Sequence, residues 1–364
     1  MALRTATAII DLNALINNFC YIKKKVPQGR VLAVLKANAY GHGLERIAKA
    51  LSGSTYQADA FGVARLDEAL ALRAAGITKP IVLLEGFFDQ QDLDVIAQYN
   101  FQTIIHNHEQ LTILCDANLA QPIKVWLKID TGMHRLGITP EDISIFYSQL
   151  NNSKNVHDDI ILMSHLSSAD NTKSNTTIDQ IALFEQITHG LKNNKSLANS
   201  AGICSWPESH FQWVRPGLML YGVSPIQDEL QKQTALRPVM TLQSSLIAIK
   251  NLVKGDSVGY GGKWQATQDT KIGVIAIGYG DGYPRHAENG TPVLINGRLV
   301  PLIGRVSMDM ITVDLGADSQ ECIGDIATLW GKGLPVEKVA QCATTIPYEL
   351  LCNISRRVQV SVES

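Results

Sequence analysis

One lysine follows directly on an unbroken apolar run. Val31–Leu35 contains no polar residue, Lys36 comes next, and Gly41 and Gly43 then bend the chain. The run predicts a strand buried on both faces, as in a parallel sheet, and such folds carry their chemistry at the carboxyl ends of strands. An amine there, partly desolvated and near other cations, is suited to Schiff-base formation with a carbonyl group. A snorkelling or ion-paired lysine is the alternative.

An arginine follows a later apolar run, Ile123–Ile129, inside the segment Lys128–Gly137. A planar guanidinium binds the carboxylate of an amino acid through two parallel hydrogen bonds, and Arg135 offers that group. A surface ion pair of little energetic consequence is the other interpretation.

Histidine and anion-binding residues follow the later runs. His165 ends the run Ile160–Ser164, where a histidine is often only a satisfied polar group. A Ser-His-Asp nucleophile is a weaker reading, because no G-x-S-x-G elbow accompanies it. Asn199–Ser200 and Arg215–Leu218 suggest an anion cradle, since phosphate fits beside the seventh and eighth strands of a TIM barrel.

Eight apolar runs must position these side chains, and amphipathic segments separate most of the runs. The runs are Val31–Leu35, Ala60–Val63, Pro80–Glu85, Phe101–Ile105, Ile123–Ile129, Ile160–Ser164, Leu197–Ile203 and Leu218–Tyr221. Eight alternating strands and helices predict an α/β protein with a (β/α)8 TIM-type barrel. An open doubly wound sheet is the rival fold, although no G-x-G-x-x-G follows the first strand, which weakens a dinucleotide site.

The pattern of predicted secondary structure changes after residue 230. Strand-like runs with glycine turns cover 239–253, 271–277, 291–303 and 310–315, and helical patterns cover only 336–343 and 348–354. We therefore predict a barrel domain at 1–230 and a mostly β C-terminal domain at 231–364.

Composition narrows the class of protein further. The 364 residues carry a formal net charge of −2 and are 45% hydrophobic, so neither nucleic acid nor an anionic membrane is an expected partner. The first residues lack the apolar core of a signal peptide, and six scattered cysteines without a C-x-x-C pair argue against a zinc site or a disulfide framework. We expect a cytoplasmic protein without a metal.

Three sequence blocks together resemble those of one enzyme family. Residues 34–43 read V-L-K-A-N-A-Y-G-H-G, residues 128–137 match K-x-D-T-G-M-x-R-x-G, and residues 304–309 match G-R-x-x-M-D. The first block closely resembles the cofactor-lysine motif of the alanine racemases, pyridoxal-phosphate enzymes built on a barrel. The other two resemble substrate-binding blocks of that family. The resemblance extends from about residue 5 to about residue 358.

The resemblance implies a role for each matching residue. Lys36 would hold pyridoxal 5'-phosphate as an aldimine, and Lys36 and Tyr260 would exchange the α-proton of alanine on opposite faces. The implied cofactor-binding residues are Lys36, Tyr40, His165, Asn199, Ser200, Arg215, Gly217, Leu218 and Tyr348. The implied substrate-binding residues are Arg135, Lys128, Met308 and Asp309, and those of the entry gate are Asp170, Tyr279, Arg305 and Ile346.

Within these assignments, Arg215 would face the pyridine nitrogen, and the lysine matching Lys128 can be carbamylated in relatives. The resemblance also implies a homodimer, in which Tyr260 comes from the other subunit. Such an enzyme would supply D-alanine for peptidoglycan or serve alanine catabolism. A related amino-acid decarboxylase, a non-catalytic pyridoxal-phosphate carrier and a serine or broad-specificity racemase are the alternatives.

Overall fold

Eight parallel strands close into a barrel in the computed structural model of the chain, which describes residues 5–53, 57–226 and 235–364. The strands of the described residues, of which β2 to β9 form the barrel, are β1 (Thr7–Asp11), β2 (Arg30–Val34), β3 (Ala60–Val63), β4 (Ile81–Leu83), β5 (Gln102–Ile105), β6 (Val125–Lys128), β7 (Ile161–Met163), β8 (Lys195–Ser196), β9 (Trp213–Val214), β10 (Met240–Leu252), β11 (Ser257–Val258), β12 (Trp264–Gln265), β13 (Thr270–Ile275), β14 (Pro292–Ile295), β15 (Arg298–Ile303), β16 (Ile311–Asp314), β17 (Ile326–Trp330) and β18 (Gln359–Glu363).

Helices cover the outside of the barrel and part of the second domain. They are α1 (Leu12–Lys25), α2 (Lys36–Tyr40), α3 (Leu44–Gly53), α4 (Leu66–Ala74), α5 (Gln90–Gln98), α6 (His108–Asp116), α7 (Ile143–Asn152), α8 (Thr176–Ile187), α9 (Ser200–Ser205), α10 (Val336–Cys342) and α11 (Pro347–Cys352). Short 3-10 turns are formed by Pro140–Asp142, Pro207–Ser209, Leu218–Tyr221, Tyr260–Gly262 and Tyr279–Asp281.

The barrel is closed by parallel pairing of its first and last strands. Strands β2 to β9 pair in sequence order, and Arg30 and Val31 of β2 lie opposite Trp213 and Val214 of β9. This closure confirms the predicted (β/α)8 barrel and excludes the open doubly wound sheet. The strands β3, β4, β6 and β7 are buried along their whole length, as a parallel sheet covered by helices requires.

Amphipathic spacing explains how the helices attach to this barrel. In α3 the buried residues are Leu44, Ile47, Ala48 and Leu51, which recur at the spacing of one helical face. At the start of α1, the Asp11 side chain accepts the N–H of Ala14 at 2.8 Å, as expected for a capping aspartate. Sequence patterns therefore predict where a helix such as α1 begins and which side of a helix such as α3 is buried.

The last two barrel strands differ from the sequence prediction. The seventh strand is Lys195–Ser196 and the eighth is Trp213–Val214. The apolar runs 197–203 and 218–221 were expected to be these strands, and that expectation is wrong. They instead form the helix Ser200–Ser205 and the 3-10 turn Leu218–Tyr221, because a buried turn at the barrel mouth is as apolar as a buried strand.

A second sheet forms the mostly β domain, as predicted. Its strand order is β13-β16-β15-β14-β17-β10-β1-β18, with a further pairing between β13 and β10. The amino-terminal strand β1 belongs to this sheet, where it pairs antiparallel with β10 and parallel with β18. The predicted domain boundary between residues 230 and 231 lies outside the described residues.

Two further features of the described residues bear on the class of protein. None of their helices is both long enough and apolar enough to cross a lipid bilayer. No disulfide bond joins any of the six cysteines in that part of the chain.

Candidate active site

A cavity of about 640 Å³ opens at the carboxyl ends of the barrel strands. It brings together most of the site residues predicted from the sequence, which are Lys36, Tyr40, Lys128, Arg135, His165, Asn199, Ser200, Arg215, Gly217, Leu218, Ile346 and Tyr348. Its size is in the range of small-molecule and cofactor sites. Barrel closure therefore gathers residues from the first to the last strand around one space.

Lys36 begins a helical turn with an unusual backbone. Ala37, Asn38, Ala39 and Tyr40 all have φ between +53° and +55°, so the turn that follows Lys36 is left-handed. Each such L-residue costs roughly 1–2 kcal/mol relative to the right-handed conformation. Strain of this kind persists only where the surroundings over-determine it, and it is concentrated at functional sites. Here the turn lets the side chains at both of its ends, Lys36 and Tyr40, line the same cavity.

Arg215 is buried in the cavity wall and held by acceptors on its neighbouring strands. Its guanidinium donates to the Ser196 hydroxyl and to the Ser164 carbonyl, each at 2.6 Å, and to the Leu197 carbonyl at 3.3 Å. Burial lowers the pKa of Arg215 to about 10, so the side chain stays protonated at neutral pH. The site therefore contains a rigid cation that donates hydrogen bonds and cannot accept a proton.

His165 lies against this arginine. The Nη2 atom of Arg215 is 3.3 Å from Nδ1 of His165, and because a guanidinium only donates, Nδ1 must accept. Burial first, and then the positive charges of Arg215 and Lys128, hold the pKa of His165 well below its usual range. The imidazole is therefore neutral, with its proton on Nε2.

Lys128 and Arg135 extend the positive charge of the cavity. Lys128 is buried, and this burial, followed by the charges of Arg215, Arg135 and Lys36, lowers its pKa to about 8. Asp130 opposes the shift in part. Several cations thus share one cavity, whose lining includes the single carboxylate of Glu85, and the arrangement favours anionic ligands.

Two tyrosine hydroxyls face the cavity close to each other. The rings of Tyr40 and Tyr348 have centroids 5.7 Å apart, and no residue in the described ranges hydrogen-bonds to either hydroxyl. Burial raises the pKa of both phenols, so both remain protonated donors. A Cβ atom on Gly217 would lie only 2.5 Å from the Tyr40 hydroxyl oxygen, which shows how closely backbone and phenol approach here.

The Ser200 side chain holds the backbone beside the two tyrosines in place. Its hydroxyl accepts the N–H of Gly217 at 3.0 Å and that of Met219 at 3.3 Å. Asn199 precedes it and caps the helix Ser200–Ser205 by accepting the N–H of Gly202 at 3.0 Å. The backbone of Gly217 is thereby held in a fixed position beside the predicted anion cradle.

The remaining predicted residues lie elsewhere in the single chain. Tyr260, Tyr279 and Met308 are not among the residues lining the cavity, and their side chains are 68%, 40% and 53% exposed. Arg305 lies beside the turn of Tyr260, and Asp309 pairs with Arg357 at 2.6 Å. These five residues form a separate exposed group on the second domain.

Hydrogen bonds tie two loops of that exposed group together. The Tyr279 N–H donates to the Ser307 carbonyl at 3.0 Å, and the Gly280 N–H donates to the Met308 carbonyl at 2.8 Å. Arg357 bridges the same loops, because it contacts Asp281 at 2.9 Å in addition to Asp309. The predicted gate tyrosine and the predicted substrate methionine therefore belong to one fixed surface.

Asp170 lies beside the main cavity. It lines an adjoining cavity of about 320 Å³ together with Ile346 and Tyr348, which also line the main cavity. Its predicted place at the entrance to the site is therefore geometrically reasonable, while its role stays a prediction.

Two family models match most of the chain. The model described as "Alanine racemase, N-terminal domain" matches residues 10–225, and the model described as "Alanine racemase, C-terminal domain" matches residues 239–362. The chain belongs to the alanine racemase family. The family predicted from three short sequence blocks is thereby confirmed.

Individual alanine racemases resemble the chain along its length. A curated alanine racemase from Vibrio atlanticus is 54% identical over 356 residues, which cover 98% of each protein. The crystal structure of the biosynthetic alanine racemase from Pseudomonas aeruginosa superimposes with a TM-score of 0.95 at 40% identity and covers 100% of both chains. The crystal structure of the alanine racemase from Bartonella henselae, described with covalently bound pyridoxal phosphate, gives a TM-score of 0.89 at 30% identity and covers 99% of both chains.

The alanine racemase fold also places residues in the cavity that the sequence analysis missed. His106, Glu85 and Phe88 line it, and His106 Nε2 lies 3.2 Å from the Glu85 carbonyl oxygen. Burial is the main cause that lowers the pKa of His106. His106 directly follows strand β5, so the strand-end rule that selected Lys36 and His165 would have found it.

Proposed function

We propose that the chain interconverts L-alanine and D-alanine, with pyridoxal phosphate held at Lys36. The observation that carries this proposal is the meeting of Lys36, Arg135 and Arg215 in one cavity of a chain from this family. An amine, a carboxylate-binding guanidinium and a fixed cation are the groups that an amino-acid racemase of this kind needs.

The cavity fits pyridoxal phosphate chemically. The cofactor has an aldehyde, which suits the Lys36 amine, and a phosphate, which suits the protonated hydroxyls of Tyr40 and Tyr348. Gly217 leaves room for close approach at that end, since a Cβ there would fill the space beside the Tyr40 hydroxyl. We assign the phosphate to these residues and to Ser200, with Asn199 and Leu218 beside them.

When bound, the cofactor supplies a conjugated ring that withdraws electrons from the α-carbon of the substrate. The protein contributes binding, orientation and proton transfer. Arg215 is a permanent hydrogen-bond donor in the cavity wall. It would face the ring nitrogen, and because a guanidinium stabilises no added positive charge, that nitrogen would stay unprotonated. His165, which is neutral and contacts Arg215, would pack beside the ring.

Arg135 binds the carboxylate of alanine and fixes which bonds of the α-carbon face the proton-transferring groups. Lys128 lies in the same cavity, and its pKa of about 8 leaves a fraction of free amine at neutral pH. That fraction makes carbamylation by dissolved carbon dioxide feasible, and the resulting anion would orient Arg135.

Racemisation needs a proton donor and acceptor on each face of a planar carbon, and one lysine serves only one face. We assign the first face to the Lys36 Nζ atom and the second to the Tyr260 hydroxyl of a second copy of the chain. This division is supported by two observations: Tyr260 does not line the cavity of its own chain, and its side chain is 68% exposed.

A homodimer with shared active sites follows from that assignment. The exposed group on the second domain would face the cavity of the partner and bring Met308 and Asp309 to the substrate carboxylate. Tyr279 and Arg305 of the same surface, together with Asp170 and Ile346, would then border the entrance. The exposed apolar side chains of Met308, Met310 and Tyr279 are consistent with a surface that is covered in an assembly.

In a cell, this activity would act on free alanine, either to supply D-alanine for peptidoglycan or to break alanine down. We propose a cytoplasmic location, where free L-alanine and D-alanine would be available to the enzyme.

Incubation with L-alanine tests the proposal. We expect the optical rotation to fall to zero without release of carbon dioxide, and a yellow protein whose cofactor absorbance depends on Lys36. Lys36→Ala should abolish both the absorbance and the racemisation, whereas Lys49→Ala, which removes an exposed lysine paired with Glu45, should change neither. Carbon dioxide release would indicate a decarboxylase, and absorbance without racemisation would indicate a cofactor carrier.

A further inference from the structure

The left-handed turn after Lys36 begins at an N–H group that a distant carboxylate accepts. The Ala37 N–H donates to Oε1 of Glu68 at 2.7 Å. The other carboxylate oxygen of Glu68 accepts the N–H of Ala64 at 2.9 Å and that of Arg65 at 3.3 Å. One side chain therefore joins the start of the turn to the start of helix α4.

We propose that Glu68 is a positioning residue, whose carboxylate holds the left-handed turn and thereby fixes the spacing between the Lys36 amine and the Tyr40 hydroxyl. This inference rests on the proposed function, in which those two groups bind the aldehyde and the phosphate of one cofactor molecule. Glu68 is not among the residues that line the cavity, so it acts through the backbone of the turn.

Capping of its own helix explains only half of the contacts of Glu68. A glutamate at the third position of a helix commonly reaches back to the N–H groups before the helix, and Oε2 does this at Ala64 and Arg65. The bond from Oε1 to Ala37 is not part of such a motif, because Ala37 belongs to another segment of the chain. A charged acceptor also makes this bond stronger than a neutral acceptor would.

The position of that bond matters because the turn is restrained differently along its length. In the middle of the turn, the Asn38 side chain accepts the N–H of Leu44 at 2.9 Å. The imidazole of His42 contacts the carbonyl oxygens of Ala39 and Tyr40 at 3.1 and 2.8 Å. Glu68 acts at the start, on Ala37, the residue directly after Lys36. Loss of its carboxylate would remove the acceptor of the Ala37 N–H and loosen the lysine end of the turn, although backbone bonds such as that from Ala39 to Leu35 remain. The contacts of His42 at the tyrosine end would be unchanged.

Loss of the Glu68 carboxylate should therefore change how the Lys36 amine and the Tyr40 hydroxyl cooperate in binding the cofactor. A cofactor that is held at its aldehyde by Lys36 and at its phosphate by Tyr40 gains from their fixed spacing, as in any two-point binding. A phosphate-free analogue uses only the lysine end. Loosening the turn should therefore weaken the binding of pyridoxal phosphate more than that of pyridoxal.

Absorbance titration of the full chain, stripped of bound cofactor, measures both affinities with pyridoxal phosphate and pyridoxal as probes. Because the charge-assisted bond to the Ala37 N–H is lost together with the two capping contacts, we expect Glu68→Ala to weaken pyridoxal phosphate binding by about tenfold or more and pyridoxal binding by less than about threefold. Glu68→Gln keeps one acceptor oxygen and should fall between the unchanged chain and Glu68→Ala. Glu45→Gln is the control, because Glu45 is exposed and pairs with Lys49.

A second variant tests whether the left-handed backbone is what Glu68 holds. Ala37 has φ of +54°, which glycine adopts without a steric penalty. We therefore expect Ala37→Gly, added to Glu68→Ala, to restore part of the lost preference for pyridoxal phosphate. Rescue by a substitution that adds no contact is not expected of a residue that only stabilises the fold.

The outcomes separate this inference from the proposed function. A chain in which no absorbance depends on Lys36 would contradict the proposed function itself. Normal binding in the unchanged chain, with the preference for pyridoxal phosphate undiminished in the Glu68 variants, would overturn only the role of Glu68. An equal loss for both probes would also overturn it. If Glu68→Ala does not fold, Glu68→Gln decides by the same comparison.

Discussion

The Nη2 atom of Arg215 lies 3.3 Å from the Nδ1 atom of His165. The arginine can only donate, and burial with neighbouring positive charge keeps the histidine neutral by lowering its pKa. Neither group can therefore accept a proton from the side on which they meet. This pairing gives the wall of the cavity a fixed positive charge and sets the protonation state of the cofactor that we propose there.

Replacement of that arginine should change the outcome of the reaction. A carboxylate opposite the ring nitrogen would favour its protonation, so Arg215→Glu should strengthen electron withdrawal and prolong the life of the α-carbanion. We expect the ratio of pyruvate formed by side transamination to alanine racemised to rise on the order of tenfold. Arg215→Lys keeps the positive charge and is the control. An unchanged ratio in a folded Arg215→Glu protein would contradict this role.

Addition of one methyl group at Gly217 should weaken cofactor binding. A Cβ there would lie 2.5 Å from the Tyr40 hydroxyl oxygen, so Gly217→Ala must displace the phenol or the backbone. Such crowding costs about 1–3 kcal/mol, which corresponds to a loss of pyridoxal phosphate affinity of about fivefold to 150-fold. Gly53→Ala is the matched control, because nothing lies within 4 Å of its new Cβ. Equal affinities for the two variants would place the phosphate elsewhere.

The proposed sharing of active sites between two chains predicts complementation between two inactive variants. Lys36→Ala lacks one proton-transferring group and Tyr260→Phe lacks the other, so each homodimer should be strongly impaired. A mixed dimer, however, contains one cavity with an intact Lys36 and a partner's intact Tyr260. Random co-assembly of equal amounts should therefore recover about a quarter of the normal activity, since half of the dimers would carry one intact site of two. No recovery despite verified mixed dimers would argue that each chain completes its own site.

The stability of the protein should depend on His42 in mildly acidic solution. His42 is fully buried, its Nδ1 contacts two carbonyl oxygens, and burial lowers its pKa from 6.5 to about 4. Between these values the unfolded chain binds more protons than the folded chain, so stability falls as the pH drops from about 6.5 to about 4. Full loss of this contribution amounts to roughly 3 kcal/mol.

His42→Asn keeps a donor near Nδ1 but does not titrate. It should therefore lose less unfolding free energy than the unchanged protein between pH 7 and pH 4.5, as measured by urea denaturation at one protein concentration. His157→Gln removes an exposed histidine and should leave the difference between the two pH values unchanged. Parallel losses in the His42→Asn and unchanged proteins would show that other groups carry the acid sensitivity.

Local patterns in the sequence predicted the first six barrel strands closely. Runs such as Ala60–Val63 and Phe101–Ile105 contain enough consecutive apolar residues to be distinguished from amphipathic helices. The last two strands were misplaced because Lys195–Ser196 and Trp213–Val214 contain only two residues each and show no period. In the second domain, the short strands β11 and β12 were missed, and so were β17 and β18. All residues of β18 are exposed, so it has no buried face to produce a pattern.

The residues of the candidate site were also predicted by two different kinds of signal. Strand-end position selected Lys36 and His165, and motif resemblance selected Tyr260 and Met308, which no periodicity would have marked. Geometry then placed the first pair in the cavity and left the second pair on an exposed surface. His106 met the strand-end criterion and was overlooked.

The amino-acid sequence by itself determined the fold class, the family and the residue types of the site, because side-chain chemistry and hydrophobic period are local properties of the chain. The tertiary structure decided the left-handed turn after Lys36. Isolated alanines avoid this conformation, and here Glu68, which lies on a distant helix, accepts the Ala37 N–H. Contacts between distant segments offset the local strain, and no local pattern in the sequence records them.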